Sequence, residues 1–187
     1  MNGKPGSHFE VIVIGAGVAG IYQIKRLADL GVDAMVLDGS PDLGGTWYRN
    51  RYPGARFDSE SYTYGYSFSR ELLDEWHWKE RFSGQPENLR YLNYVTDKFD
   101  LRKYMQFNAK VEAAAFDEAQ HIWRLRIDDG RELTCRFVIL AIGLLSTPTL
   151  PRLARGARST HSTGRTSRSN WPARRSPSSA PARPPFR

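Results

Sequence analysis

The chain has 187 residues, 40% of them hydrophobic, with a net charge of +7 and one cysteine. That length bounds it to one domain, or one domain with an appendage, and the apolar content suffices for a core. No apolar run approaches the roughly 18 residues of a membrane span, and the lone Cys135 excludes an internal disulfide, which points to a reducing, cytoplasmic setting. The basicity is local: residues 152–187 carry nine arginines and no lysine or acid, so the other 151 residues sum to −2.

Residues 1–8 read as a polar, flexible leader. From Phe9 to Ile14 an apolar, β-branched run predicts a strand buried on both faces. Gly15, Gly17 and Gly20 follow at the G-x-G-x-x-G spacing, and an apolar helical period runs from Ile21 to Leu30. The first glycine permits a tight turn, the second admits a pyrophosphate, and the third lets helix lie close on strand. The helix start then offers free N–H groups and the positive end of its dipole to phosphates. Gly31 is a stop signal, and Val32 to Leu37 read as a second strand ending in Asp38. An acid there is placed to accept hydrogen bonds from the ribose of an adenosine; the plainer alternative is a turn before Gly39-Ser40-Pro41.

Residues 39–68 have little periodicity, and a loop of that length within a domain is usually functional. Paired Gly44-Gly45 let backbone crowd a flat ligand, and the neighbouring aromatics offer stacking surfaces. Arg70 to Phe82 reads as a helical wedge whose Trp76 and Trp78 serve packing. A helix is predicted from Pro86 to Leu101, with Leu89, Tyr91, Leu92, Val95 and Phe99 along one side. Asp97, Lys98, Asp100 and Arg102 read as solvated charges. Three short strands follow at Val111 to Phe116, His121 to Ile127 and Arg131 to Cys135, with Asp128-Asp129-Gly130 as a hairpin turn. His121 reads as a turn or surface residue without a role. Phe137 to Gly143 is expected as a further strand, buried on both faces, beside the first.

The run Gly44-Gly45-Thr46-Trp47-Tyr48, Asn50-Arg51-Tyr52-Pro53-Gly54-Ala55-Arg56 and Asp58-Ser59-Glu60-Ser61 closely resembles the flavin-contacting segment of Baeyer–Villiger monooxygenases. It is most similar to the phenylacetone, steroid and cyclopentadecanone type, and the resemblance covers roughly residues 9–151. It implies an α/β fold: a Rossmann-like FAD-binding domain, with a parallel sheet and helices, plus a small antiparallel meander. By resemblance, Gly15, Gly17, Val18 and Gly20 would hold the FAD pyrophosphate and Asp38 the ribose. Gly45, Thr46, Trp47 and Tyr48 would lie along the flavin, with Tyr64 and Ala141 near it, and Val111 would meet the adenine through its backbone. Arg56, Phe57 and Asp58 resemble the segment where nicotinamide meets flavin, and Asp58 is the catalytic candidate, tuning an active-site arginine. A carboxylate there suits peroxide chemistry only when paired with a cation.

The implied activity is NADPH- and O2-dependent conversion of a ketone to an ester or lactone, with no metal, membrane or nucleic-acid partner and an open oligomeric state. An N- or S-oxygenating flavin enzyme is the near alternative. Asp38 stands where Glu is commoner, Arg49 where Trp is, Phe57 and Gly65 where Cys is, and Ile142 where Thr is. The organisation expected is a leader at 1–8, a partial FAD-binding domain at 9–151 and a disordered tail at 152–187, with the NADPH domain and the arginine absent and the fragment inactive alone. The tail reads either as a phosphate-binding basic segment, making the chain a nucleic-acid binder, or as a slipped reading frame. The abrupt loss of family character, together with an Arg/Ala/Pro/Ser bias without acids, favours the slip.

Overall fold

The computed structural model describes residues 8–146; the expected leader, save His8, and the expected tail lie outside them. Strand β1 (His8–Ile14) leads through Gly15 into helix α1 (Val18–Asp29), and β2 (Ala34–Leu37) follows. Helix α1 ends where its periodicity does: Gly31 takes φ +68° and its N–H donates to the Ala28 carbonyl at 3.1 Å. The long aperiodic segment condenses into single turns α2 (Thr46–Arg49) and α3 (Ser61–Tyr64). The wedge is helical only over α4 (Arg70–Glu75), with Ser69 Oγ accepting from Leu72 N–H at its start. Helix α5 (Gln85–Lys98) carries Pro86 in its first turn, as predicted.

A short 3₁₀ turn (Arg102–Tyr104) precedes β3 (Met105–Gln106), β4 (Val111–Asp117), β5 (Ile122–Ile127) and β6 (Glu132–Leu140). The six strands form one sheet in the order β3-β2-β1-β6-β5-β4. The first four are parallel where they pair, and β5 and β4 continue it antiparallel. The expected small antiparallel meander is present and continues the main sheet, because two predicted strands fuse into β6. Cys135 pairs with Phe9 on one side and Trp123 on the other, so β6 serves both halves.

Alternation along β1 explains two-sided burial. Val11 and Val13 face one core with α1 and α5 residues Ile21, Ile24, Leu92 and Val95. Ile12 faces the other, with Leu125, Ile127, Leu133 and Cys135. Strand β6 departs from the expectation: Phe137 is 51% and Leu140 67% exposed. Its outer half pairs with β1 alone among the described residues, and there Val138 and Ile139 are only partly buried against the two cores.

Two further readings are corrected. Lys98 and Arg102 are not merely solvated. Lys98 Nζ bridges Glu71 and Glu75 of α4, each at 2.9 Å. Arg102 reaches Asp97 at 2.7 Å and Asp42 at 3.0 Å, and also bonds Asn93, tying the end of α5 to the long segment. The cause is tertiary: α4 and residues 42–43 fold back against α5. His121 sits at φ +54° and is exposed, as a turn residue does.

Candidate dinucleotide site

The turn after β1 is sterically closed to anything but glycine at two places. Gly15 has φ +109°, and a Cβ there would lie 2.4 Å from the Ala141 carbonyl oxygen. A Cβ on Gly20 would lie 1.8 Å from the Gly15 carbonyl oxygen, so this glycine sets how closely α1 approaches β1. Gly17 differs: its φ is −83°, and a Cβ would meet only Gly45 Cα at 3.5 Å, an ordinary contact. Its smallness leaves open space rather than relieving a clash. The first turn of α1 has no acidic residue, and Gly17 makes no side-chain cap, so its N–H groups stay available to an anion.

A second backbone closes over this turn. Gly44 N–H donates to the Ala16 carbonyl at 2.9 Å, and Gly45, at φ +53°, lies against Gly17. Between them and the ends of β1, β2 and β6 runs a cleft of about 790 Å³. Gly15, Gly17, Val18, Asp38, Gly45, Thr46, Trp47, Tyr64, Val111 and Ala141 all line it. The Gly20 backbone lies beneath it.

Asp38 is nearly buried and does two things at once. Oδ2 accepts from Ala16 N–H and Oδ1 from Ser40 N–H, both at 2.7 Å. The first bond holds the glycine turn; the second is the Asx-type turn that the plainer reading anticipated. Each carboxylate oxygen keeps a further lone pair at the cleft. Trp47 Nε1–H donates to Tyr64 Oη at 2.7 Å, and the Gln85 side-chain amide holds the Trp47 carbonyl, fixing both rings. Burial raises the Tyr64 phenol above its ordinary range, and the Trp47 N–H opposes that.

Besides Gly20, four expected site residues do not line the cleft. Phe57 is buried in the aromatic core, stacked on Tyr64 at 4.5 Å and edge-on to Trp47 and Trp78. Arg56 turns to Glu80 at 3.2 Å, Asp58 is exposed, and Tyr48 carries the Arg51 guanidinium on its ring. Conversely, Arg49 and Lys110 line the cleft and were not singled out. Arg49 Nε donates to Ser40 Oγ at 3.0 Å, which holds that cation at the rim. A basic residue in a glycine-rich segment was the available signal for Arg49; Lys110 had none, because only the strand order brings residues 109–111 beside Gly39.

A family model described as an NAD(P)-binding Rossmann-like domain matches residues 13–76. The chain is 45% identical over 142 residues to a 2-oxo-Δ3-4,5,5-trimethylcyclopentenylacetyl-CoA monooxygenase of Pseudomonas putida, covering 76% of this chain and 26% of that protein. It is 44% identical over 147 residues to the phenazine N-monooxygenase PhzNO1 of Lysobacter antibioticus (78% and 27%). A Baeyer–Villiger monooxygenase of Pseudooceanicola batsensis is 42% identical over 148 residues (79% and 27%). Over that stretch the chain is similar to Baeyer–Villiger monooxygenases. The fold agrees: a steroid monooxygenase solved with NADP superposes at TM-score 0.75 and 45% identity, over 78% of this chain and 28% of that one. The chain thus spans about a quarter of the length of the curated relatives it matches.

Proposed function

We propose that residues 9–151 form the FAD-binding part of a flavin-dependent monooxygenase that uses NADPH and O2 to convert a ketone to an ester or lactone. The observation that carries this reading is the cleft itself. It runs from an uncapped helix start, past a ribose-height carboxylate, to a wall of Trp47 and Tyr64. In it the N–H groups of Val18 and Ala19 would bind the pyrophosphate, with Arg49 and Lys110 adding positive charge at the rim. Gly17 and Gly45 would let the phosphates come close, and Asp38 would use its remaining lone pairs on the ribose. Val111 backbone would border the adenine. Thr46, Trp47, Tyr64 and Ala141 would orient the ring system, which when bound supplies hydride acceptance and oxygen activation. Asp58, Arg56 and Tyr48 would act from outside the described cleft, Asp58 as the partner of an arginine.

Titration of the 187-residue chain with FAD, followed by flavin fluorescence, tests the proposal. Saturable quenching is expected. Because Gly17 has room for a Cβ, Gly17→Ala should fold normally yet bind FAD at least about tenfold more weakly, a loss of about 1.4 kcal/mol. Unquenched FAD with the folded wild-type chain overturns the reading. A second reading, oxygenation of a ring nitrogen, draws support from the phenazine N-monooxygenase at 44% identity. Turnover of ketones against phenazines by a full-length protein carrying these residues separates the two.

A further inference from the structure

Aromatic rings in this chain are in contact from the cleft to a second groove lined by α5 residues. Trp47 and Tyr64 line the cleft. Phe57 stacks on Tyr64 at 4.5 Å between ring centroids and meets Trp78 at 5.9 Å. Trp78 lies 5.7 Å from Trp76, and Trp76 lies 5.3 Å from Tyr94. Trp76 and Tyr94 both line a groove of about 700 Å³ with Arg90 and Asn93. Every ring except Phe57 belongs to an oxidisable residue type.

Core packing alone accounts for buried aromatics, but two details exceed it. Trp76 Nε1–H is buried with no acceptor among the described residues. An unpaired buried donor costs about 1–3 kcal/mol, a cost that packing alone does not require. Tyr94, by contrast, donates its O–H to the Glu75 carboxylate, which Lys98 holds in place. An oxidised indole without a base keeps its proton and stays a strong oxidant. An oxidised phenol bonded to a carboxylate gives its proton up at once. Tyr91 branches off Trp78 at 4.9 Å and Trp76 at 5.2 Å, but its hydroxyl accepts from Tyr66 N–H and has no carboxylate partner among the described residues, so the downhill end is Tyr94.

We propose that Trp47, Tyr64, Trp78, Trp76 and Tyr94, bridged by Phe57, carry stray one-electron oxidising equivalents out of the cleft to the surface groove. The oxidant is a radical by-product of oxygen chemistry in the cleft. It takes one electron from Trp47 or Tyr64, and successive electrons refill each vacancy from the next ring. Tyr94 finally loses one electron, its proton passes to Glu75, and a neutral tyrosyl radical remains. A small thiol entering the groove gives its hydrogen atom to Tyr94 and leaves as a thiyl radical, two of which join as a disulfide, while Glu75 releases its proton to water. The source of the oxidant rests on the flavin reading; the relay does not.

The test injects the vacancy without flavin. Thr46→Cys on the cleft wall carries a ruthenium polypyridyl photo-oxidant in the full chain, Cys135 being buried and so shielded from the label. Flash-quench oxidation is followed by transient absorption and electron paramagnetic resonance. A neutral tyrosyl radical is expected, lost in Tyr94→Phe and replaced by a tryptophan radical in Glu75→Gln. Trp78→Phe should abolish the tyrosyl signal while circular dichroism stays native. A tyrosyl signal unchanged in Tyr94→Phe, or a Tyr94 radical formed equally in folded Trp78→Phe, overturns the relay. Should Trp78→Phe unfold, Tyr94→Phe and Glu75→Gln, both at the groove side, decide alone. A chain that passes while leaving FAD unquenched refutes the flavin reading only, and one that fails while quenching FAD refutes the relay only.

Discussion

Three glycines in α1 and its flanks illustrate how differently one residue type is used. Gly20 is sterically required, so Gly20→Ala forces backbone apart and should cost about 3 kcal/mol in urea unfolding. Gly31 has nothing within 4 Å of its virtual Cβ, and its demand is only the φ of +68°. Gly31→Ala should therefore cost about 1 kcal/mol by the same measurement. Gly17 is needed by neither steric nor conformational argument, which is why its substitution reads ligand approach cleanly. Asp38 is the residue whose two readings both hold. Asp38→Ala would leave the Ala16 and Ser40 N–H groups unpaired and should lower stability by about 2 kcal/mol.

At the scale of elements, α5 is the organiser of the segment that closes the cleft. Leu92 and Val95 are fully buried on it, and Gln85 at its start grips Trp47. The Lys98 pairs with Glu71 and Glu75 are exposed on the acidic side and contribute little individually. Two buried acids of the core set an alkaline limit instead. Burial pushes the Cys135 thiol from about 9 up to about 11, and the Tyr91 phenol from about 10 up to about 12. In both, the folded state disfavours the anion, so their contribution is full below the unfolded values and is lost as pH rises toward the folded ones. Stability measured by denaturant at successive pH should hold to about pH 9 and fall between pH 9 and 12. Cys135 should likewise resist aromatic-disulfide reagents until denaturant is added.

At the scale of the molecule, one sheet carries two cores, and the end of β6 with the residues after it is apolar and exposed among the described residues. Phe137, Leu140, Ile142, Leu144 and Leu145 are all more than half exposed, and Leu140, Ile142 and Leu145 also line the cleft. The 187-residue chain should bind a hydrophobic dye such as anilinonaphthalene sulfonate while folded, and Phe137→Ser with Leu140→Ser should reduce both that signal and aggregation. An unchanged dye signal in the double variant would show that the patch is not what the dye reads.

What the sequence by itself determined was local. The strand–glycine–helix unit, the Gly31 stop, the Pro86 helix start and the Asp128-Asp129-Gly130 hairpin all depend on neighbours within a few residues, and periodicity and turn chemistry report those directly. It also carried ten of the residues that line the cleft, because the family's motif places them in one run or at strand ends. Tertiary structure alone decided the rest. Whether two predicted strands are one, which side of β6 is covered, and whether Phe57 faces ligand or core depend on contacts between residues far apart in the chain. Lys110 reaches the cleft rim for the same reason: strand order brings it beside Gly39, and no local pattern records strand order.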